Sequence, residues 1–150
     1  MRSNKFINYS TLFVFLSITF LAACGSKEKH IYVGNLLEAK FASGSNYASS
    51  QINHKDVEIT IETLGKNDRN LYVKSSDGLK FGDCELPIKF YMYDGNKKGD
   101  ISTCDRKTGA GTEVRNIGGG TSKVDLDGQK LKITLNIDNV FYTFEGTEKQ

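Results

Sequence analysis

Strict alternation of apolar and polar residues, repeated along the chain, is the feature that most narrows what this sequence can fold into. Val57-Glu58-Ile59-Thr60-Ile61-Glu62 places Val57, Ile59 and Ile61 on one side and the polar residues on the other. Successive side chains of a strand point to opposite faces, so this pattern predicts a strand with one dry side. Lys130-Leu131-Lys132-Ile133-Thr134-Leu135-Asn136-Ile137 repeats the device. Val124-Asp125-Leu126 and the dipeptide Asp127-Gly128 precede it, and Asp-Gly supplies the positive φ angles of a tight turn, which predicts a β-hairpin. Further strands are expected at Ile31 to Phe41, Leu71 to Lys74, Ile88 to Tyr93 and Val140 to Glu145. Turn signals separate them at Gly65-Lys66-Asn67-Asp68, Asp77-Gly78, Asp94-Gly95-Asn96 and Gly118-Gly119-Gly120. Pro87 stands just before the Ile88 strand, where a missing N–H does least damage. Asn35 to Phe41 reads either as strand or as one short helix. About seven short antiparallel strands predict a mainly β domain, a β-sandwich or a small β-barrel. Ala42 to Ser50, small and polar, and Lys107 to Ser122, rich in glycine and threonine, are expected to be mobile loops.

The chain begins MRSNKFINYSTLFVFLSITFLAA, with Arg2 and Lys5 ahead of an apolar stretch and two alanines. These are the n-region, h-region and cleavage-site residues of a secretory signal, and the apolar stretch falls short of the about 20 residues of a spanning helix. Leu21-Ala22-Ala23-Cys24 resembles the lipobox of bacterial lipoproteins. The resemblance implies that residues 1–23 are removed, that the Cys24 sulfur is lipidated and that the new N-terminus is acylated. Each buried methylene contributes about 0.8 kcal/mol and one chain binds only marginally, so several chains on Cys24 make a durable anchor. Gly25 and Ser26 follow the cysteine where an aspartate would favour inner-membrane retention, so the expected site is the outer membrane of a Gram-negative cell or the outer face of a single membrane. Residues 24–29 then form the lipidated cysteine and a short charged tether, and 30–150 a single domain close to the bilayer.

Arg2 and Lys5 are the only charged residues among the first 23, so their loss leaves 18 basic against 18 acidic residues and no formal net charge. A neutral, mixed surface argues against nucleic acid, which needs clustered Lys and Arg, and Lys97-Lys98 between Asn96 and Gly99 reads as a solvated turn. An exported protein lives where disulfides persist, and Cys84 and Cys104 can pair in only one way once Cys24 is spent. The bridge closes a loop of about 20 residues and stabilises by roughly 3 kcal/mol in the chain-entropy account. A redox pair would more typically be a close Cys-x-x-Cys, and a thiolate metal site needs further ligands.

Nothing selects catalysis, and neither a cofactor nor a metal is expected. The histidines are His30, beside the tether, and His54, expected as an exposed turn residue in Asn53-His54-Lys55-Asp56, with Ser50 nearby as an ordinary loop serine. His54 and Asp56 offer two ligands with no third, and Glu58 and Glu62 lie on the polar side of a strand where water accounts for them. Thr108-Gly109-Ala110-Gly111-Thr112 lacks the Gly-Lys-Ser/Thr that completes a phosphate loop and reads as a flexible loop.

Aromatic residues are more informative. In Phe90-Tyr91-Met92-Tyr93 the alternation puts Phe90 and Met92 on one side and Tyr91 and Tyr93 on the other, while Tyr142 and Phe144 share a face. Either the tyrosines are presented outward as a binding face or they cover a sheet edge or pack under a loop. Three functions fit. The first is a non-enzymatic envelope binding module that holds a protein partner, of inhibitor or immunity type, through Tyr91 and Tyr93. The second is an accessory subunit of an envelope machine. The third is a lipocalin-like carrier of an apolar ligand, which predicts a roomy interior lined by Ile59, Ile61, Ile133 and Leu135.

Overall fold

The computed structural model describes residues 27–44, 46–118 and 120–150. The signal segment and Cys24 lie outside the described residues. Ten strands follow in order: β1 Lys29–Phe41, β2 Ala48–Thr63, β3 Asp68–Lys74, β4 Ile88–Tyr93, β5 Lys98–Asp100, β6 Thr103–Thr108, β7 Gly111–Asn116, β8 Lys123–Asp127, β9 Lys130–Ile137 and β10 Val140–Glu148. Eight of them close an antiparallel barrel in the order β1-β10-β9-β8-β5-β4-β3-β2, with β1 pairing β2 to complete the ring, and β6 and β7 form a separate two-stranded sheet. Closure removes the unpaired edges that an open sheet of this size would expose. Every barrel pairing lies within residues 29–148, so the chain from residue 26 onward carries the whole barrel.

The alternation seen in the sequence is the alternation between inside and outside. Tyr32, Val57, Ile59, Leu71, Ile88, Phe90, Met92, Ile133, Leu135 and Phe144 fill the interior. Outside, cross-strand neighbours alternate in charge: the register sets Lys98 opposite Asp125, Asp125 opposite Lys132, and Lys132 opposite Glu145. Lys132 Nζ lies 2.7 Å from Glu145 Oε1, which raises the lysine and lowers the carboxyl from their ordinary ranges. A membrane-spanning barrel has an apolar outer band and a polar lumen. Here the interior is apolar and the outer wall carries charged pairs.

Two irregularities allow the ring to close. Gly34 on β1 stands opposite Gly146 on β10, and a Cβ on Gly34 would overlap the Glu145 carbonyl oxygen, so only glycine permits the two strands to approach this closely. Next to it the β1–β2 register shifts between Gly34 and Leu36, a bulge that includes Asp56 at φ 53° and turns His54 inward.

The expected β-barrel is therefore present, with more strands than the seven expected. Asn35 to Phe41 is strand throughout, paired on both sides, and among the described residues there is no helix. Lys107 to Ser122 is not a mobile loop: Thr103–Thr108 and Gly111–Asn116 pair as a hairpin, with Gly109 and Ala110 as its turn. Part of Ala42 to Ser50 also pairs, since β2 starts at Ala48. Lys98 leaves the turn and opens β5.

The two ends of the barrel differ. One end, where β1 enters and β10 leaves, carries the β2–β3, β4–β5 and β8–β9 turns and, among the described residues, opens into a cavity. The segment between β3 and β4 folds beneath the other end, where Phe81 meets Tyr142 edge to face at 5.2 Å and the Gly82 N–H donates to the Tyr142 hydroxyl at 3.1 Å. The β6–β7 hairpin sits at that same capped end. Cys84 and Cys104 are bridged there, with Cα atoms 5.6 Å apart, and Cys104 is buried in the core.

Candidate functional site

Strand β4 determines what its two sides can do. Phe90 and Met92 point into the core at 6% and 3% exposure, which fixes the strand's rotation and sends Tyr91 and Tyr93 outward at 52% and 39%. Of the two arrangements open to the sequence, the outward one is observed. Tyr91 stands between Asp68 of β3 and Asp100 of β5, and Tyr93 beside Lys98. The Asn67 amide donates to the Tyr91 hydroxyl, and the Tyr93 hydroxyl donates to Asp100 Oδ1 at 3.4 Å. Partial burial first, and then the negative charge of Asp100, push the Tyr93 hydroxyl up from its ordinary range. The result is a fixed aromatic strip flanked by Asp68, Lys98 and Asp100, next to the open rim.

The interior side of the same rim holds a cavity of about 190 Å³. Its apolar lining includes Ile61, Phe90, Met92, Val124, Leu126 and Leu131, and its polar lining includes Glu28, His30, Thr63, Arg69 and Asn96. His30 lies between two carboxylates, with Nδ1 2.5 Å from Glu148 Oε1 and Nε2 3.1 Å from Glu28 Oε1, and the Glu148 hydrogen bond is the main cause of its raised pKa. Tyr32 stands below, its hydroxyl pushed up to about 12 by burial and then by Glu148 and Glu28. Arg69, 9% exposed, donates from one terminal nitrogen to the Gly65 and Asp68 carbonyls at 3.0 and 2.9 Å, and from the other to Asn96 Oδ1 at 3.2 Å.

A roomy carrier interior is not what the barrel contains. Ile59, Ile61, Ile133 and Leu135 do point inward, but they pack in one continuous core, and only Ile61 touches the cavity. That volume is below the roughly 300–1,000 Å³ of pockets that hold drug-sized ligands.

Two readings of polar residues need correction. His54 is not an exposed turn residue: it is a buried strand residue at the capped end, with Nδ1 2.6 Å from Asp77 Oδ2 and Nε2 3.3 Å from Glu38 Oε2. The bulge at Asp56 put it out of phase with Val57, which hid this placement in the sequence. Glu62 is not a solvated carboxylate either. At 5% exposure it accepts from Asn70 Nδ2 at 3.0 Å and from the Tyr72 hydroxyl at 3.1 Å, with Lys29 Nζ 3.5 Å away, and the Asn70 hydrogen bond leads in holding its carboxyl below the usual range. Glu58 does lie at the surface, paired with Lys74 and Lys149 at 3.7 and 3.5 Å. Among the described residues no group of three or more His, Cys, Asp and Glu is arranged to hold a metal ion. Arg69, which sequence reasoning missed, was in phase with Leu71 and Val73, and that phase was the signal that it points inward.

Comparison with known proteins returned no matching family model, no matching curated protein and no matching solved structure.

Proposed function

We propose that this chain is a lipid-anchored cell-envelope protein whose barrel is a non-enzymatic binding module, engaging a protein partner through the outer wall at Tyr91 and Tyr93 in an inhibitor or immunity-type role. One observation carries the reading: two neighbouring tyrosines are held outward on a strand whose other side is locked into the core. Tyrosine offers rigid apolar area with a polar tip, and its few rotatable bonds make ordering it at an interface inexpensive in entropy. The surrounding Asp68, Asp100 and Lys98 supply a charged rim of the kind that favours a partner of matching pattern.

The anchor sets the orientation in this reading. Lipidation at Cys24 leaves a few tether residues before β1 begins at Lys29, so the open end of the barrel faces the bilayer and the tyrosine strip stands on its flank. Gly25 and Ser26 after the cysteine, in place of an aspartate, support the outer membrane as the site where a cell has one. Replacing Cys24 by alanine is expected to abolish lipid labelling and detergent partitioning, and persistence of both would refute the anchor.

The binding role is tested by affinity capture with residues 26–150, disulfide intact, against envelope and secreted fractions. Wild type is expected to retain one dominant stoichiometric partner that the Tyr91→Ala, Tyr93→Ala double variant loses while its circular dichroism stays unchanged. Equal capture by both chains would sink the assignment of this wall. A set of membrane subunits in place of a single secreted or hydrolytic protein would make the chain an accessory subunit of an envelope machine.

A further inference from the structure

The mouth of the barrel holds a buried guanidinium that, among the described residues, has no carboxylate at ion-pair distance. Arg69 is directed inward by the register that pairs it with Phe90 and Thr63, and its three hydrogen bonds go to two backbone carbonyls and one side-chain amide oxygen. A guanidinium has five N–H donors, so donors remain. Among the described residues no carboxylate forms an ion pair with it. The two carboxylates at the mouth, Glu28 and Glu148, are both engaged by His30 and neither reaches Arg69 at ion-pair distance. An ionised side chain withdrawn from water without a counter-charge is costly, and such groups in proteins are usually paired. As a clamp on the two turns at the rim, Arg69 needs only its donors. Its remaining donors border a cavity whose apolar wall is Ile61, Phe90, Met92, Val124, Leu126 and Leu131 and whose polar wall is Glu28, His30, Tyr32, Thr63 and Asn96.

We infer that the mouth of the barrel is a binding site for a short-chain aliphatic carboxylate, with the carboxylate on Arg69 and the alkyl body against Phe90, Met92 and Leu126. The planar fork of a guanidinium matches the two oxygens of a carboxylate, which selects this anion over a point-like one. The volume sets the length. At about 190 Å³ the cavity is below the roughly 300–1,000 Å³ of pockets for drug-sized ligands, which favours a short chain such as hexanoate. A long fatty acid does not fit inside it. The site is independent of the tyrosine strip, which lies on the other side of β4, so it stands or falls apart from the partner-binding role.

The test is an NMR titration of isotopically labelled residues 26–150 with hexanoate, hexan-1-ol and hexylamine. Hexanoate is expected to shift the amides of Thr63, Arg69 and Phe90 saturably, and the alcohol and the amine to bind at least roughly tenfold more weakly, as expected when a charge-assisted pair is lost. Arg69→Met is expected to weaken hexanoate by at least the same factor, with Arg69→Lys intermediate. Should Arg69→Met disturb the fold by freeing the two turns, Leu126→Trp keeps the arginine and fills the cavity, and it is expected to abolish hexanoate binding. The inference is overturned by shifts that do not saturate, by equal affinity for acid and alcohol, or by undiminished binding in either Arg69→Met or Leu126→Trp.

Discussion

The two ends of the barrel are built from the same strands and held by different means. The capped end is tied to segments outside the ring: Phe81 sits against Tyr142, the Cys84–Cys104 bridge pins the β6–β7 hairpin, and Arg115 of β7 pairs with both Asp83 and Asp138. Burial opposes the Asp83 charge, and the Arg115 and Arg106 guanidiniums outweigh it, holding that carboxyl below its usual range. At the open end the turns are short, and His30 and Arg69 make the main cross-links. The difference sets a cross-linked end, where Arg106 and Arg115 pair with Asp83 and Asp138, against an end that carries the cavity, Arg69 and, on its outer flank, the exposed tyrosines on which the proposed binding roles rest. Sites that must receive a ligand are commonly drawn from the less tightly held parts of a fold.

Substitutions ranked along this axis break the comparison if their order is wrong. Phe81→Ala removes a fully buried ring from under the barrel and is expected to cost about 3–5 kcal/mol in denaturant unfolding. Cys84→Ala with Cys104→Ala is expected to lose about 2–4 kcal/mol while the far-ultraviolet dichroism of the barrel persists. Hydrogen exchange should then show the β6–β7 amides opening well before those of β9 and β10. Arg115→Ala is expected to cost no more than about 1 kcal/mol, because its two carboxylate partners are largely exposed. The smallest effect belongs to the open end. His30 has a raised folded-state pKa, so its contribution is complete below its ordinary value of 6.5 and is lost as pH rises through the elevated one. Thermal melts should therefore show a shallow loss of stability across that window, and His30→Gln should remove that slope alone.

How much could be read from the sequence follows the same division. Strands β2, β4 and β9 were legible because each has a core side and a water side, and Val57-Glu58-Ile59 or Leu131-Lys132-Ile133 records both. The β6–β7 hairpin was not, because Thr112, Glu113 and Val114 are exposed in succession and no apolar period marks a strand that lies outside the core. Strand β5 hides for a related reason: its inward residue is Gly99, against which Met92 packs, so three residues give no alternation to detect. The disulfide was legible from cysteine arithmetic. The outward turn of Tyr91 and Tyr93 was legible as one of two arrangements, and burial of Phe90 and Met92 decided between them. His54, Glu62 and Arg69 were misplaced or passed over because a polar residue was taken to face water, whereas bulges and cross-strand partners placed each in the protein.

The central claim is that the flank of β4 is the working surface. Hydroxyl-radical footprinting of residues 26–150, with and without the captured partner, tests it most directly because it reads side chains rather than amides already locked in the barrel. The account expects Tyr91 and Tyr93 to lose most of their labelling in the complex, while Tyr47 near the capped end and Val114 on the hairpin, exposed at 85% and 70%, keep theirs. Unchanged labelling of Tyr91 and Tyr93, with protection of Val114 or Tyr47 instead, would contradict it.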